Sequence, residues 1–257
     1  MIDFAAITIF PEMFNSITQF GISARAFTLK KARLITINPR QFAINRYQTI
    51  DDRPFGGGPG MVMMYEPLQK AIVEAKKRLK NSAKVVYLTP QGKPLTQNLV
   101  KEFACKNALI FLCGRYEGID ERLIERHVDE EVSIGDYVLS GGELPAMALI
   151  DSIVRLLPGV LNDQASAVED SFYDGLLDCP HYTRPAIHVE AGDVPSVLLS
   201  GNHQKIQHWR HQQKLKRTFF RRKELIKCLF LSNKDKQYLE QLTQDEKQKK
   251  RDRECTI

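Results

Sequence analysis

Short apolar runs alternate with amphipathic stretches through residues 1–160. Ala5–Phe10, Leu34–Ile37, Val85–Leu88 and Leu109–Cys113 read as strands, and Val132–Ile134 and Tyr137–Leu139 as two more on either side of Gly135-Asp136. Pro11 and Pro67 each open a helix. The helix from Pro67 carries Leu68, Ala71, Ile72, Ala75 and Leu79 at the spacing of one buried face. A further helix, from about Glu143 to Leu157, is ended by Pro158-Gly159. Short buried-type strands alternating with helices predict an α/β domain built on a mostly parallel sheet. After residue 161 the periodicity lapses. Asn162-Asp163-Gln164-Ala165-Ser166 reads as an exposed linker, and residues 201–231 read as basic helix with Ile206 and Trp209 on one face and Leu225, Ile226, Leu229 and Phe230 on another. From about Gln244 the chain is polar and is expected to fray. The predicted organisation is a domain over 1–161, a linker over 162–174, and a small, mainly helical domain over 175–257.

Composition narrows the classes. The chain has 257 residues, 43% hydrophobic and 26% charged. That balance excludes a largely disordered or collagen-like chain, and a stretch such as Ala146–Leu157 is too short, and too interrupted by Asp151 and Arg155, for a membrane span. The net charge of +6 is unevenly placed: residues 1–174 hold 20 basic and 21 acidic side chains, residues 175–257 hold 17 and 10. The basic third therefore carries the whole excess, which fits either a polyanionic partner or a solubilising surface. Five cysteines with no CxxC pair argue against a disulfide framework or a zinc ribbon and for reduced thiols in the cytoplasm. Met1-Ile2-Asp3-Phe4 lacks the basic start and apolar run of a signal peptide.

Three glycine-bearing loops come after predicted strands: Thr89-Pro90-Gln91-Gly92-Lys93, Cys113 through Arg122, and Ser133 through Pro145. Ligands of open parallel sheets bind outside the carboxyl ends of the strands, where such loops gather. Neither a P-loop nor a GxGxxG fingerprint is present. A nucleotide-like ligand held by backbone groups suits the loops; ordinary tight turns suit each one singly. The run Gly56–Gly60 is either a surface loop or a flap closing on a bound group. Asp151 and Arg155 are spaced for an i,i+4 ion pair, unless Arg155 projects towards a substrate oxygen. Ser166-Ala167-Val168-Glu169 fits a capping box, with Asp170 beside it as either a helix-start residue or a general base. Asp178 is equally open. Residues 201–227 hold nine basic side chains against one acid, interleaved with His203, His208, His211, Trp209, Phe219 and Phe220. That pattern suits a solvated helix or one that neutralises phosphates and stacks on bases.

Taken together, Gly56–Met61, Cys113–Arg122, Ile134–Glu143, Glu169–Phe172 and Leu177–Pro185 resemble the bacterial tRNA (guanine-N1)-methyltransferases, in order and over nearly the whole chain. The resemblance implies a SPOUT-class domain whose chain passes through a deep trefoil knot, an exception to the rule that chains are un-knotted. It implies S-adenosyl-L-methionine bent among the three loops, at Tyr87, Leu88, Pro90, Gly114, Ile134, Gly135, Asp136, Tyr137, Val138, Leu139, Gly141, Gly142 and Pro145. Asp170 would be the general base, Arg155 the cation that stabilises charge on O6, and Glu117 the carboxylate near Mg2+. Gly60, Asp178, Lys205, Arg210, Lys214, Arg217 and Arg221 would contact the substrate. The partner would be tRNA, methylated at the guanosine 3′ of the anticodon (position 37) when another guanosine precedes it. The enzyme would be a homodimer with active sites at the subunit interface, with no membrane association. The alternatives are a non-catalytic RNA-binding protein with a cofactor-sensing domain, and a knotted methylase of ribosomal RNA or of a ribose hydroxyl.

Overall fold

A computed structural model describes residues 1–79, 83–163 and 168–254. The chain divides into two compact units, Met1–Gln164 and Ala165–Ile257.

The first unit is a five-stranded, all-parallel sheet in the order β2-β1-β6-β5-β7. The strands are β1 (Ile2–Ile7), β2 (Ala32–Ile37), β5 (Lys84–Pro94), β6 (Ala108–Leu112) and β7 (Glu130–Ser133), and a two-residue pair, β3 (Asp51–Asp52) and β4 (Val62–Met63), stands apart. The central strands are apolar throughout because helices cover both faces of the sheet. Phe4, Val86, Leu109 and Phe111 pack on one side with α4 (Gln97–Ala104) and α6 (Glu143–Val154), and near them lie the short α1 (Asn15–Gln19) and α2 (Gly21–Thr28). Ala5, Val85, Ile110 and Leu112 pack on the other with α3 (Tyr65–Arg78) and α5 (Glu121–His127). The expected face of α3 is buried, and Pro67 lies in its first turn, where a missing N–H costs nothing. Among the described residues no helix is long and apolar enough to cross a membrane.

In the first unit, the expectations for three segments differ from the structure. The first strand spans Ile2–Ile7, earlier than Ala5–Phe10, because the Thr8 hydroxyl accepts the Phe10 N–H and turns the chain out of the ladder. Tyr137–Leu139 is a loop: Tyr137 and Val138 are exposed, and the Tyr137 N–H bonds back to the Gly135 carbonyl. The strand ending at Leu88 resumes. Leu88 and Lys93 both face Val132 of β7, and the residues between them bulge out of the ladder, where Pro90 has no N–H to contribute.

The second unit holds α7 (Ser196–Leu199), α8 (His203–Arg221), α9 (Lys223–Ile226) and α10 (Asn233–Glu254) around a small core of Leu176, Leu215, Leu239 and Leu242. The basic helix breaks at Arg222, which leaves helical geometry. After Gln244, where fraying is expected, the chain is helical. α10 continues to Glu254, anchored by Leu239 and Leu242 and started by a reciprocal box in which the Asp235 N–H bonds Ser232 Oγ and the Ser232 N–H bonds Asp235 Oδ2. The Ser166 capping box and linker residues 164–166 lie outside the described residues.

Phe111 is fully buried and stacked on Phe4 at 5.8 Å, whereas Phe55 is wholly exposed. Phe111→Ala should therefore lower the unfolding free energy by about 3–5 kcal/mol, and Phe55→Ala by no more than about 0.5 kcal/mol. Urea unfolding followed by circular dichroism measures both; equal effects would contradict the assigned core.

Candidate active site

The carboxyl ends of β5, β6 and β7 lie on one edge of the sheet, because parallel pairing leaves no alternative. The three glycine-bearing segments therefore converge there around one cavity of about 420 Å³. The β5 bulge supplies Leu88 and Pro90, the loop after β6 supplies Gly114 to Gly118, and the loop after β7 supplies Ile134, Gly135, Tyr137, Val138, Leu139 and Gly141. Tyr87 and Pro145 line it as well. Burial raises the Tyr87 phenol above its ordinary pKa, so it stays a neutral hydroxyl. The volume suits a nucleoside-sized ligand, and the lining mixes glycines and apolar side chains with polar and acidic ones.

Two of the expected cofactor positions stand outside this lining. Asp136 is exposed at the loop tip. Gly142 supports the cavity from behind: its N–H bonds the Gly114 carbonyl at 3.0 Å, and a Cβ there would come within 2.7 Å of Cys113 Cα. Burial pushes the Cys113 thiol well up, which leaves it an inert packing group.

Glu117 does line the cavity, and Glu121 and Glu131 line it with Glu117. The Gly56–Gly60 run reaches this carboxylate. The Glu117 N–H bonds the Met61 carbonyl at 2.9 Å, and Gly60, at φ +76°, lies so close that a Cβ would collide with the Glu117 carboxylate. Gly60 is thus placed by its contact with Glu117. Arg155 is the C-cap of α6, about 15 Å along that helix from Pro145 at a rise of 1.5 Å per residue. The Asp151 carboxylate takes a hydrogen bond from Ser23 at 2.5 Å.

Within the second unit, the segment carrying Asp170 and Asp178 is bonded to the basic helix. Lys214 holds Asp174 at 3.1 Å, the Leu177 N–H donates to Thr218 Oγ1, and the Tyr182 and Trp209 rings approach at 6.4 Å. Asp170 is half-buried and its carbonyl accepts the Tyr173 N–H. Burial alone would raise the Asp178 carboxyl, but bonds from His181, at 2.7 Å, and from the Cys179 N–H outweigh it and hold it below the usual carboxylate range. Lys205, Arg210 and Arg221 are exposed along α8. Arg217 is half-buried, and the Lys214 ammonium is committed to Asp174 with 12% of its side chain exposed.

Sequence reasoning passed over the pair Arg115–Glu143, joined at 2.8 Å, with Glu143 fully buried. The available signal was a charged residue directly after Ser140-Gly141-Gly142, at the start of an apolar helix.

Residues 2–228 match the family model described as tRNA (Guanine-1)-methyltransferase TrmD. A tRNA (guanine-N(1)-)-methyltransferase of Francisella philomiragia is 57% identical over 236 residues, covering 92% of each chain. One of Shewanella woodyi is 58% identical over 235 residues, covering 91% of this chain and 94% of its own. With a family match over most of the chain and two such relatives aligned nearly end to end, this chain belongs to the tRNA (guanine-N1)-methyltransferases, enzymes that methylate a guanine base of tRNA.

Proposed function

We propose that the chain transfers the methyl group of S-adenosyl-L-methionine to N1 of the guanosine 3′ of the anticodon, in tRNAs where a guanosine precedes it. The observation that carries this reading is the convergence of three glycine-bearing loops on a nucleoside-sized cavity, in a chain of this family. Bound there, S-adenosyl-L-methionine supplies an electrophilic methyl on a sulfonium. Tyr87, Leu88, Pro90, Gly114, Ile134, Gly135, Tyr137, Leu139, Gly141 and Pro145 would hold it, and a trefoil knot formed by these loops would fix their spacing. Glu117 fits Mg2+: it is a hard-oxygen donor in a cavity that it shares with Glu121 and Glu131, and Mg2+ favours carboxylates and keeps waters.

The remaining chemistry belongs to side chains. Guanine N1 bears a proton and attacks poorly until that proton leaves. Asp170 takes it as general base. Charge then moves onto O6, where Arg155 stabilises it, most strongly once water is excluded. The distance of Arg155 along α6 from Pro145 supports active sites assembled from two subunits of a homodimer. Asp170 belongs to the same compact unit as the basic helix, which supports a base delivered only when tRNA docks. In that reading residues 175–257 are the tRNA-binding domain, with Lys205, Arg210, Arg217 and Arg221 on phosphates, and Gly60 and Asp178 close to the substrate.

Asp170→Asn should cut methyl transfer to unmodified tRNA transcript by about a hundredfold or more while S-adenosylhomocysteine binding persists. Loss of that binding, or retained transfer, would remove Asp170 from the role of base. Changing Lys205, Arg210, Arg217 and Arg221 to Gln should weaken tRNA binding and flatten its logarithmic salt dependence by roughly 0.7–0.9 for each phosphate no longer neutralised. An unchanged slope would show that α8 is only a solvated face.

A further inference from the structure

One buried ion pair has no part in the proton transfer above. Glu143, the first residue of α6, is fully enclosed. Its Oε1 accepts from Thr8 Oγ1 at 2.8 Å, and its Oε2 accepts from Arg115 Nε at 2.9 Å and Nη2 at 2.8 Å. The other end of the guanidinium, Nη1, donates to the Ser140 carbonyl at 3.1 Å, and its plane lies over the Phe10 ring at 4.6 Å. A Cβ at Gly141 would collide with the Arg115 side chain.

Arg115 therefore ties three pieces of chain together: its own loop after β6, the loop after β7 at Ser140-Gly141, and the end of β1. Both loops line the cavity, and the Gly142 N–H bond to the Gly114 carbonyl joins them at their roots, so the guanidinium is a second tie between them. Where backbone atoms do the gripping, their spacing must be imposed by something behind them. A fully buried carboxylate tolerates no loose arrangement, since an unpaired charge there is strongly destabilising. The two-pronged guanidinium also fixes direction, which a lysine would not.

We infer that Arg115 and Glu143 are positioning residues for the methyl donor: with the Gly142–Gly114 backbone bond, the pair holds the two loops at their separation and so governs donor affinity, leaving proton removal from guanine untouched. This rests on the donor reading of the cavity. Glu143→Gln keeps the shape and removes the charge; Arg115→Lys keeps the charge and removes the fork. Each should weaken S-adenosylhomocysteine binding, read by titration calorimetry, by about tenfold or more. Binding should remain at wild-type stoichiometry, tRNA affinity within about twofold, and kcat at saturating donor within about threefold, so that the loss appears in the donor KM. A merely structural role would lower the active fraction and leave the affinity of that fraction unchanged. Arg115 is partly exposed, so Arg115→Lys decides the matter if Glu143→Gln does not fold. Wild-type donor affinity in the folded variants overturns this inference alone. Failure of the wild type to bind S-adenosylhomocysteine overturns the donor reading and the inference together.

Discussion

The parallel hydrogen-bonding of β5, β6 and β7 is the constraint on which the other features depend. Parallel neighbours must end on the same edge, so the segment after each strand is delivered to one place. Those strands can be parallel only because helices cover both faces, which is why Val85, Val86, Ile110 and Phe111 are all apolar and all buried. The segments delivered to that edge are rich in glycine, and glycine allows backbone to approach backbone, as at Gly142 against Cys113. Packing thus places the cavity, and glycine shapes it.

Charge divides the remaining labour. The first unit is close to electrically balanced and holds the cavity at the sheet edge. The second carries the basic excess along α8 and its flanks. Composition suggests that residues 162–174 are a linker, yet Asp174 is bonded to Lys214 and the Asp178 N–H to Ser171 within the second unit. The expected catalytic carboxylate therefore shares a compact unit with the basic helix α8. Chemistry and recognition would then be coupled by construction, with no separate signal required.

The features legible in the sequence are those with a local cause. Buried parallel strands are short apolar runs, so β1, β2, β5, β6 and β7 could be found, and α3 showed itself by the spacing of Leu68, Ala71, Ile72 and Ala75. Tyr137–Leu139 looked like a strand because it is apolar; among the described residues no strand pairs with it, and pairing is a property of the sheet. α10 was not legible because its last turns are polar; Leu239 and Leu242 hold its first half to a core that only the fold assembles. That loops gather at this sheet edge was readable from the residues, whereas the individual cavity positions came from the family resemblance. The Arg115–Glu143 pair was not readable, because its members come from different loops and their bond has no signature in spacing.

The proposed reaction is defined by the atom and the base that receive the methyl group. The most direct measurement is to react the enzyme with an unmodified tRNA transcript, digest the product and map the modified nucleoside by mass spectrometry. The expected product carries 1-methylguanosine at the position just 3′ of the anticodon and at no other. A methyl group on a ribose or elsewhere in the tRNA, or continued transfer when that guanosine is replaced by adenosine, would contradict the proposed reaction.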